Sequence, residues 1–174
     1  MTLWSGRLSS GPGESLWRFT TDTADRRLLV DDVTGSLAHV GMLGEVELLP
    51  EDVVARIREG LEHVLEEAHA GRFEFRSSDE DVHSAVERRL GELIGPDAGH
   101  LHTGRSRNDQ IALDLRLYLR RAVDHRVEQI HHLIAVLADR AERAGDAVVA
   151  SYTHLQQAQA IPLAHHFLAY AWML

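Results

Sequence analysis

The sequence predicts an all-α fold, an elongated helical bundle. Apolar residues recur every three or four positions over most of the 174 residues, which is the spacing of amphipathic helices. Glycine and proline are absent from residues 106 to 144, so one long helix can occupy that stretch. No convincing alternation of apolar and polar residues indicates a β-strand, and no internal repeat is found.

The first part of the chain predicts an irregular arm followed by two helices. The first twenty residues are rich in glycine and serine, which favours irregular structure. From Asp25 to Val40 the apolar spacing becomes helical. The segment "LPEDV" then begins a second helix, with Pro50 near its first turn and Gly71 at its end.

The segment "SSDEDVHSAVERRL" predicts a third helix that ends before the Gly-Pro pair at residues 95–96. Ser78 is the expected N-cap, and the acids after it suit the positive end of the helix dipole. Asp79, His83 and Glu87 are four residues apart and are expected to share one helix face. That face is either part of a pocket or a solvent-exposed charged stripe, and the spacing leaves both open.

The long helix is expected to exceed about 50 Å, at a rise of about 1.5 Å per residue. Its apolar positions occupy more than one face, so it needs several packing neighbours. A last helix is expected near Pro162 and runs into the apolar ending "FLAYAWML". Because such an ending would be exposed, the chain is expected to be part of a longer protein or to be covered by another chain.

The composition excludes several kinds of site. The net charge of −9 argues against nucleic-acid binding. The absence of cysteine excludes disulfides and thiolate chemistry, and all 18 basic residues are arginine, which excludes a Schiff-base lysine. No secretory signal or membrane-spanning run is recognisable, so we expect a cytoplasmic protein without a membrane segment.

Two polar segments are candidates for binding or catalytic sites. "HLHTGRSRNDQ" places Arg107 and Asn108 at the expected start of the long helix, where a guanidinium and free backbone N–H groups can bind an anion. "SYTHLQQAQ" places Thr153 and His154 in a loop or helix start, and a histidine there can transfer protons near neutral pH. In both segments the alternative is a structural role, as a helix cap or as a hydrogen-bonded side chain.

The twelve histidines do not form a recognisable metal motif. His100 and His102 are two residues apart, and the other close pairs are adjacent in sequence. None of these spacings matches a defined zinc-binding pattern. We therefore expect no metal site.

The segments "LWSGR", "SSDEDVHSAVERRL", "GHLHTGRSRNDQIALDLRL" and "SYTHLQQAQAI" together resemble the N-terminal part of argininosuccinate lyase, in the fumarase/aspartase superfamily. The resemblance covers essentially the whole chain. It implies a homotetramer around a central bundle of long helices, with each active site shared between three subunits. It also implies cleavage of argininosuccinate to arginine and fumarate without a cofactor.

The resemblance assigns roles to individual residues. His154 matches the histidine with a role in proton transfer. Substrate contacts are implied at six further positions: Arg107, Asn108, Thr153, Asp81, His83 and a hydroxyl residue of the arm, for which Thr21 is chosen over Thr20 and Thr23. Residues 1–105 would form an N-terminal helical domain, and residues 106–174 would begin the central bundle.

The sequence also departs from the family pattern. The family's serine base lies on a loop with the signature "GSSxMPxKxNP", which is absent here, so the isolated chain is expected to have little or no activity. Ser151 replaces a glycine of the family, and the proline of its "AQPI" segment is displaced to Pro162. Two alternatives remain open: a related lyase that releases fumarate from another substrate, and a non-catalytic helical partner of full-length subunits.

Overall fold

The computed structural model describes residues 13–21 and 23–174, and these residues are mainly helical. The predicted all-α class is confirmed, with one small hairpin as an exception. In chain order the elements are α1 (Glu14–Thr20), a 3₁₀ turn (Ala24–Leu28), α2 (Leu29–Glu45), α3 (Glu51–His69), α4 (Val82–Ile94), a 3₁₀ turn (Gly95–His100), α5 (Arg107–Ala144), β1 (Val148–Thr153), β2 (Gln156–Pro162) and α6 (Leu163–Ala171).

The predicted arm is only partly testable, because residues 1–12 and residue 22 lie outside the described part. For Glu14–Thr20 the expectation of irregular structure is wrong, since this stretch is helix α1. The glycines of the arm all precede Glu14, and the residues after them have no helix breaker. Glu14 in the first turn and Arg18 in the last turn have the charges that the helix dipole favours.

Contacts divide the chain into two compact units, one reaching to Tyr118 and the other beginning at Leu119. The first unit has the larger core, which α2, α3 and α4 form together. Removing a Leu or Ile side chain of this kind from water stabilises a fold by about 1.5–3 kcal/mol. The fully buried apolar side chains of these three helices include Val33, Val40, Ile57, Leu61, Val64, Val82 and Leu90.

Helices α3 and α4 approach closely at Gly60. A Cβ atom at this position would lie 2.5 Å from Cδ1 of Leu90 and 3.0 Å from Cγ2 of Ile94. The first distance is shorter than a Cβ contact allows and the second is tight, so a side chain at this position would displace the side chains of Leu90 and Ile94.

Helix α4 begins later than the sequence predicts, and Ser78 is not its N-cap. Asp81 is the N-cap, because its carboxylate accepts a hydrogen bond from the Ser84 N–H at 2.7 Å, while the Ser84 hydroxyl accepts one from the Asp81 N–H at 3.0 Å. Asp79 therefore precedes the helix and does not share a helix face with His83 and Glu87. It pairs with Arg88 instead, through bonds of 2.7 and 2.9 Å.

The predicted long helix is confirmed as α5, which has 38 residues. Its start is held by reciprocal hydrogen bonds: the Ser106 hydroxyl accepts from the Asn108 N–H, and the Asp109 carboxylate accepts from the Ser106 N–H. Gly104 precedes this cap with a positive φ of 65°, which glycine adopts without steric cost.

The second unit contains the feature that the sequence analysis missed. "SYTHLQQAQ" is neither a loop nor a helix start, because β1 and β2 pair as an antiparallel hairpin across it. His154 and Leu155 form the two-residue turn, with positive φ values of 51° and 61°. Ser151 belongs to β1, and its hydroxyl donates to the Gln159 carbonyl across the hairpin at 2.7 Å. The helix predicted near Pro162 is confirmed as α6, with Pro162 at its N-cap.

Among the described helices, none combines the length and apolar content needed to cross a membrane.

Candidate substrate site

Arg107, the first residue of α5, lies among polar side chains from two helices. Its Nη1 donates to Oε1 of Gln110 at 2.9 Å, and its Nη2 donates to Oε1 of Glu87 at 3.3 Å. Its Nε lies 3.8 Å from Oδ2 of Asp81. The guanidinium is partly exposed, so it can also reach a bound anion. The structure thus brings two predicted site residues, Arg107 and Asp81, into proximity.

Asp81 also lines a cavity of about 190 Å³, together with Thr21 and Asp25. The Thr21 hydroxyl donates to the Trp17 carbonyl at 2.7 Å. Its oxygen can still accept a hydrogen bond from a ligand. Asp81 therefore lies beside both of the other predicted residues: it lines the same cavity as Thr21, and its carboxylate is close to the guanidinium of Arg107.

Asp25 is a cavity residue that the sequence analysis did not select. Its Oδ2 accepts a hydrogen bond from the Val82 N–H at 2.8 Å, at the start of α4. Asp25 and Asp81 thus satisfy two of the free N–H groups of this helix. The sequence places Asp25 only at a helix start, and the contact joins residues 57 positions apart.

His83 lies beneath this surface rather than on it. It is 2% exposed, and its Nδ1 lies 3.0 Å from Oδ1 of Asp32 and 3.5 Å from Oδ2 of Asp114. Such burial favours a role through neighbouring residues over direct contact with a ligand.

Asp32, His83 and Asp114 form a buried cluster that no sequence spacing indicated. One ligand atom from each residue lies within 4.8 Å of the others, as a metal site would require. However, Oδ1 of Asp32 already accepts from Gln110 and pairs with the imidazole Nδ1. Asp32 and His83 are therefore hydrogen-bonded to each other, and Asp32 is also hydrogen-bonded to Gln110.

The pKa of Asp114 is raised to about 7, mainly by burial and also by the nearby carboxylate of Asp32. His83 and Arg105 oppose the shift with positive charge, but they do not outweigh it. Within the described part of the chain, neither carboxylate oxygen of Asp114 has a hydrogen-bond partner, and the same holds for Oδ2 of Asp32. A proton held by Asp114 removes the repulsion between two buried negative charges.

Asn108 and the pair Thr153–His154 are exposed. Asn108 lies in the first turn of α5, and its backbone N–H donates to the Ser106 hydroxyl. In the second unit, the Thr153 hydroxyl lies 2.8 Å from Nδ1 of His154. This contact orients the imidazole and leaves Nε2 open to solvent, where it can exchange a proton.

Residues 9–174 match a protein family described as lyases. The chain belongs to this lyase family. The match covers almost the whole chain and includes both polar segments selected from the sequence.

The resemblance to argininosuccinate lyases is also confirmed. The chain is 47% identical over 173 residues to the argininosuccinate lyase of Campylobacter curvus, with 98% of this chain and 37% of the relative covered. It is 44% identical over 173 residues to that of Bacillus subtilis, with 99% of this chain and 38% of the relative covered. The chain thus spans a little over a third of the length of the curated relatives it matches.

Solved structures support the same superfamily. EDDS lyase in complex with formate superposes with a TM-score of 0.67 at 28% identity, covering 90% of this chain and 30% of that chain. An EDDS lyase variant with bound fumarate gives a TM-score of 0.68 at 26% identity, covering 95% and 33%. The helical framework of this chain is therefore shared with EDDS lyase.

Proposed function

We propose that this lyase takes part in the cleavage of argininosuccinate to arginine and fumarate, and that its chain supplies one portion of the active site. The observation that carries the proposal is an identity of 44–47% to argininosuccinate lyases over nearly the whole chain. The placement of Arg107 beside Asp81, next to a cavity that contains Thr21, supports it.

Arg107 and Asn108 are proposed to bind substrate carboxylates. A guanidinium binds a carboxylate through two parallel hydrogen bonds, and the first N–H groups of α5 add a positive dipole. Asp81 and Thr21 are proposed to contact the amino and guanidino groups of the substrate. His83, which we predicted as a contact, is proposed to act through its neighbours Asp32 and Asp114 because it is buried.

The reaction is a β-elimination. A base removes the proton from the carbon next to a substrate carboxylate, and the electron pair is held as an aci-carboxylate. This pair then forms the carbon–carbon double bond, while the carbon–nitrogen bond breaks and its electrons pass to the departing guanidino nitrogen. Donors such as Asn108 and Thr153 suit the aci-carboxylate, and His154 can protonate the nitrogen.

The base is proposed to come from residues outside this chain, since the family's serine-loop motif is absent from its sequence. We also propose a homotetramer with sites shared between subunits, no cofactor, and a cytoplasmic location. Residues 1–105 would act as the N-terminal domain, with residues 106–174 entering the central bundle.

The test is complementation. The chain is co-expressed with the segment of the Bacillus subtilis relative that it does not match, and fumarate is followed by its ultraviolet absorbance with argininosuccinate as substrate. The matching segment of the Bacillus enzyme, paired with the same partner, is the positive control. Fumarate release from argininosuccinate supports the proposal, and activity of the isolated chain contradicts the shared-site part of it.

A related lyase with another substrate is the second candidate, favoured by the similarity to EDDS lyase structures. The same assay with adenylosuccinate, aspartate and EDDS separates the two. If the control pair is active and the complex that contains this chain cleaves none of these substrates, the protein is instead a non-catalytic helical partner.

A further inference from the structure

Gln110 is a buried polar residue that the proposed reaction does not use. It lies on α5, three residues after Arg107, and is 2% exposed. A buried carboxamide needs hydrogen-bond partners at both its oxygen and its nitrogen, because an unpaired polar group in the interior is costly. Both partners are present.

The two ends of the carboxamide contact two different parts of the molecule. Nε2 donates to Oδ1 of Asp32, which is fully buried on α2. Oε1 accepts from Nη1 of Arg107 at 2.9 Å. Gln110 therefore links the buried cluster of Asp32, His83 and Asp114 to the guanidinium proposed to bind substrate.

The direction of the carboxamide is set by its neighbours. Oδ1 of Asp32 accepts a hydrogen bond from the NH₂ group of Gln110, which directs the amide oxygen toward Arg107. His83 reinforces this arrangement, because its Nδ1 pairs with the same Asp32 oxygen at 3.0 Å. The reversed amide would direct NH₂ toward the guanidinium, where two donors would meet.

A neutral acceptor has a specific advantage at this position. Glu87 and Asp81 also lie near the guanidinium, at 3.3 and 3.8 Å. A closer ion pair with either acid would partly neutralise the positive charge of Arg107, and this charge is what attracts a substrate carboxylate. Gln110 holds Nη1 in place without adding negative charge.

We propose that Gln110 is a positioning residue for Arg107, oriented by Asp32, and that it keeps the guanidinium directed toward substrate rather than drawn into closer ion pairs with Glu87 and Asp81. The proposal rests on the proposed function for the identity of the substrate. The proposal also predicts a low mobility of the Arg107 side chain. This mobility is a property of this chain alone and can be measured without an activity assay.

The first measurement is the mobility of the Arg107 side chain, from ¹⁵N relaxation of its Nε–H group, assigned by loss of the signal in Arg107→Lys. Gln110→Met keeps the length of the side chain and removes both hydrogen bonds. Gln110→Glu keeps the acceptor for Arg107 and places a carboxylate beside Asp32. Val86→Ala on α4 lowers stability without touching the network and is the control.

We expect the Arg107 signal to become mobile in Gln110→Met and to stay ordered in Gln110→Glu and Val86→Ala, even though all three variants are less stable. If the mobility of the Arg107 side chain depends on the acceptor at position 110 and not on the stability of the fold, Gln110 has a positioning role rather than a merely structural one. An Arg107 side chain that remains ordered in Gln110→Met, or that becomes equally mobile in Val86→Ala, overturns the proposal.

The second measurement uses the complemented enzyme. Gln110→Met is expected to raise KM for argininosuccinate by roughly tenfold with a smaller change in kcat, because uniform carboxylate binding is weakened. A fall in kcat with unchanged KM would contradict the assigned role. If the complemented enzyme is inactive toward argininosuccinate, the proposed function fails, while the relaxation result still decides the positioning role.

Discussion

Nε of Arg107 at the start of α5 lies 3.8 Å from Oδ2 of Asp81 at the start of α4. The two residues are 26 positions apart in sequence (107 − 81) and belong to separate motifs. Because each sits at a helix N-terminus, their backbone positions are fixed by caps as well as by core packing. This relationship makes Arg107 the first residue to test.

Arg107→Lys is expected to raise KM for argininosuccinate by about 10- to 100-fold in the complemented enzyme. Lysine keeps the charge but loses the two-pronged geometry for a carboxylate, which is worth about 1.5–3 kcal/mol. Arg126→Lys, on an exposed part of α5, is the matched control and should leave KM unchanged. An unchanged KM in Arg107→Lys would remove this residue from the proposed site.

Asp114→Asn is expected to flatten the pH dependence of stability. Because the pKa of Asp114 is raised to about 7 in the folded chain and is about 3.9 when unfolded, the folded state holds an extra proton between these values. The free energy of unfolding therefore falls as pH rises from about 4 to 7, by no more than about 4 kcal/mol. Asparagine is neutral at every pH and removes this contribution.

The measurement is urea unfolding at several pH values, compared with the exposed control Asp124→Asn. The control should keep the slope of the native chain. Equal slopes for Asp114→Asn and the native chain would show that Asp114 is ionised at neutral pH.

Asp79→Asn is expected to destabilise the chain by about 2 kcal/mol at neutral pH, because it leaves Arg88 without its two-pronged partner. Burial alone would raise the pKa of Asp79, but the hydrogen bonds from Arg88 and the Arg76 N–H lower it below its usual value. Its stabilisation is therefore present above about pH 4 and is lost as pH falls through the lowered pKa.

Asp52→Asn is the control for this prediction, since Asp52 forms an exposed ion pair with Arg56. Its unfolding midpoint should not change measurably. If Asp79→Asn behaves like Asp52→Asn, the Asp79–Arg88 pair does not contribute to the fold.

Gly60→Ala is expected to lower the free energy of unfolding by about 1–3 kcal/mol, because the new methyl group overlaps Leu90. Gly91→Ala on α4 is the opposite case. Its Cβ would meet only Ala98 at 4.0 Å, so the higher helix propensity of alanine should stabilise the chain by about 0.5–1 kcal/mol. Denaturant titration of both variants tests the pair, and equal effects would contradict the packing described for Gly60.

His154→Asn is expected to reduce kcat of the complemented enzyme by about 10²–10⁴-fold while leaving the hairpin intact. Asparagine tolerates the positive φ of this turn but cannot transfer a proton at neutral pH. Leu155→Asn makes the same change at the neighbouring turn residue, which is 94% exposed, and should retain activity. Comparable losses in both variants would indicate that turn geometry, and not proton transfer, limits the reaction.

The sequence predicts the fold well where the signal is local. The length of α5 is predicted by a run without glycine or proline, and its start by the polar segment that contains Arg107 and Asn108. The hairpin was missed because β2 consists largely of glutamine and alanine, which show no alternation. Its turn residues, His154 and Leu155, also differ from the Asn-Gly type that usually marks a hairpin.

Long-range contacts account for the other differences. Six consecutive polar residues, 76–81, precede α4, and local propensity does not decide which of them is the cap. The contact of Asp25 with the Val82 N–H fixes the helix start, so that Asp81 and not Ser78 becomes the N-cap. The cluster of Asp32, His83 and Asp114 joins residues from three helices. Because these residues are far apart in the sequence, no local spacing predicts that they meet.

The hairpin turn has a consequence for laboratory evolution. A selection for thermal stability alone is expected to replace His154 and Leu155 with Asn-Gly, because both positions hold side chains in a left-handed backbone conformation. A selection that also demands catalysis should tolerate the change at 155 and reject it at 154. Sequencing the survivors of the two selections would therefore separate the demands of the fold from those of the chemistry at two adjacent residues.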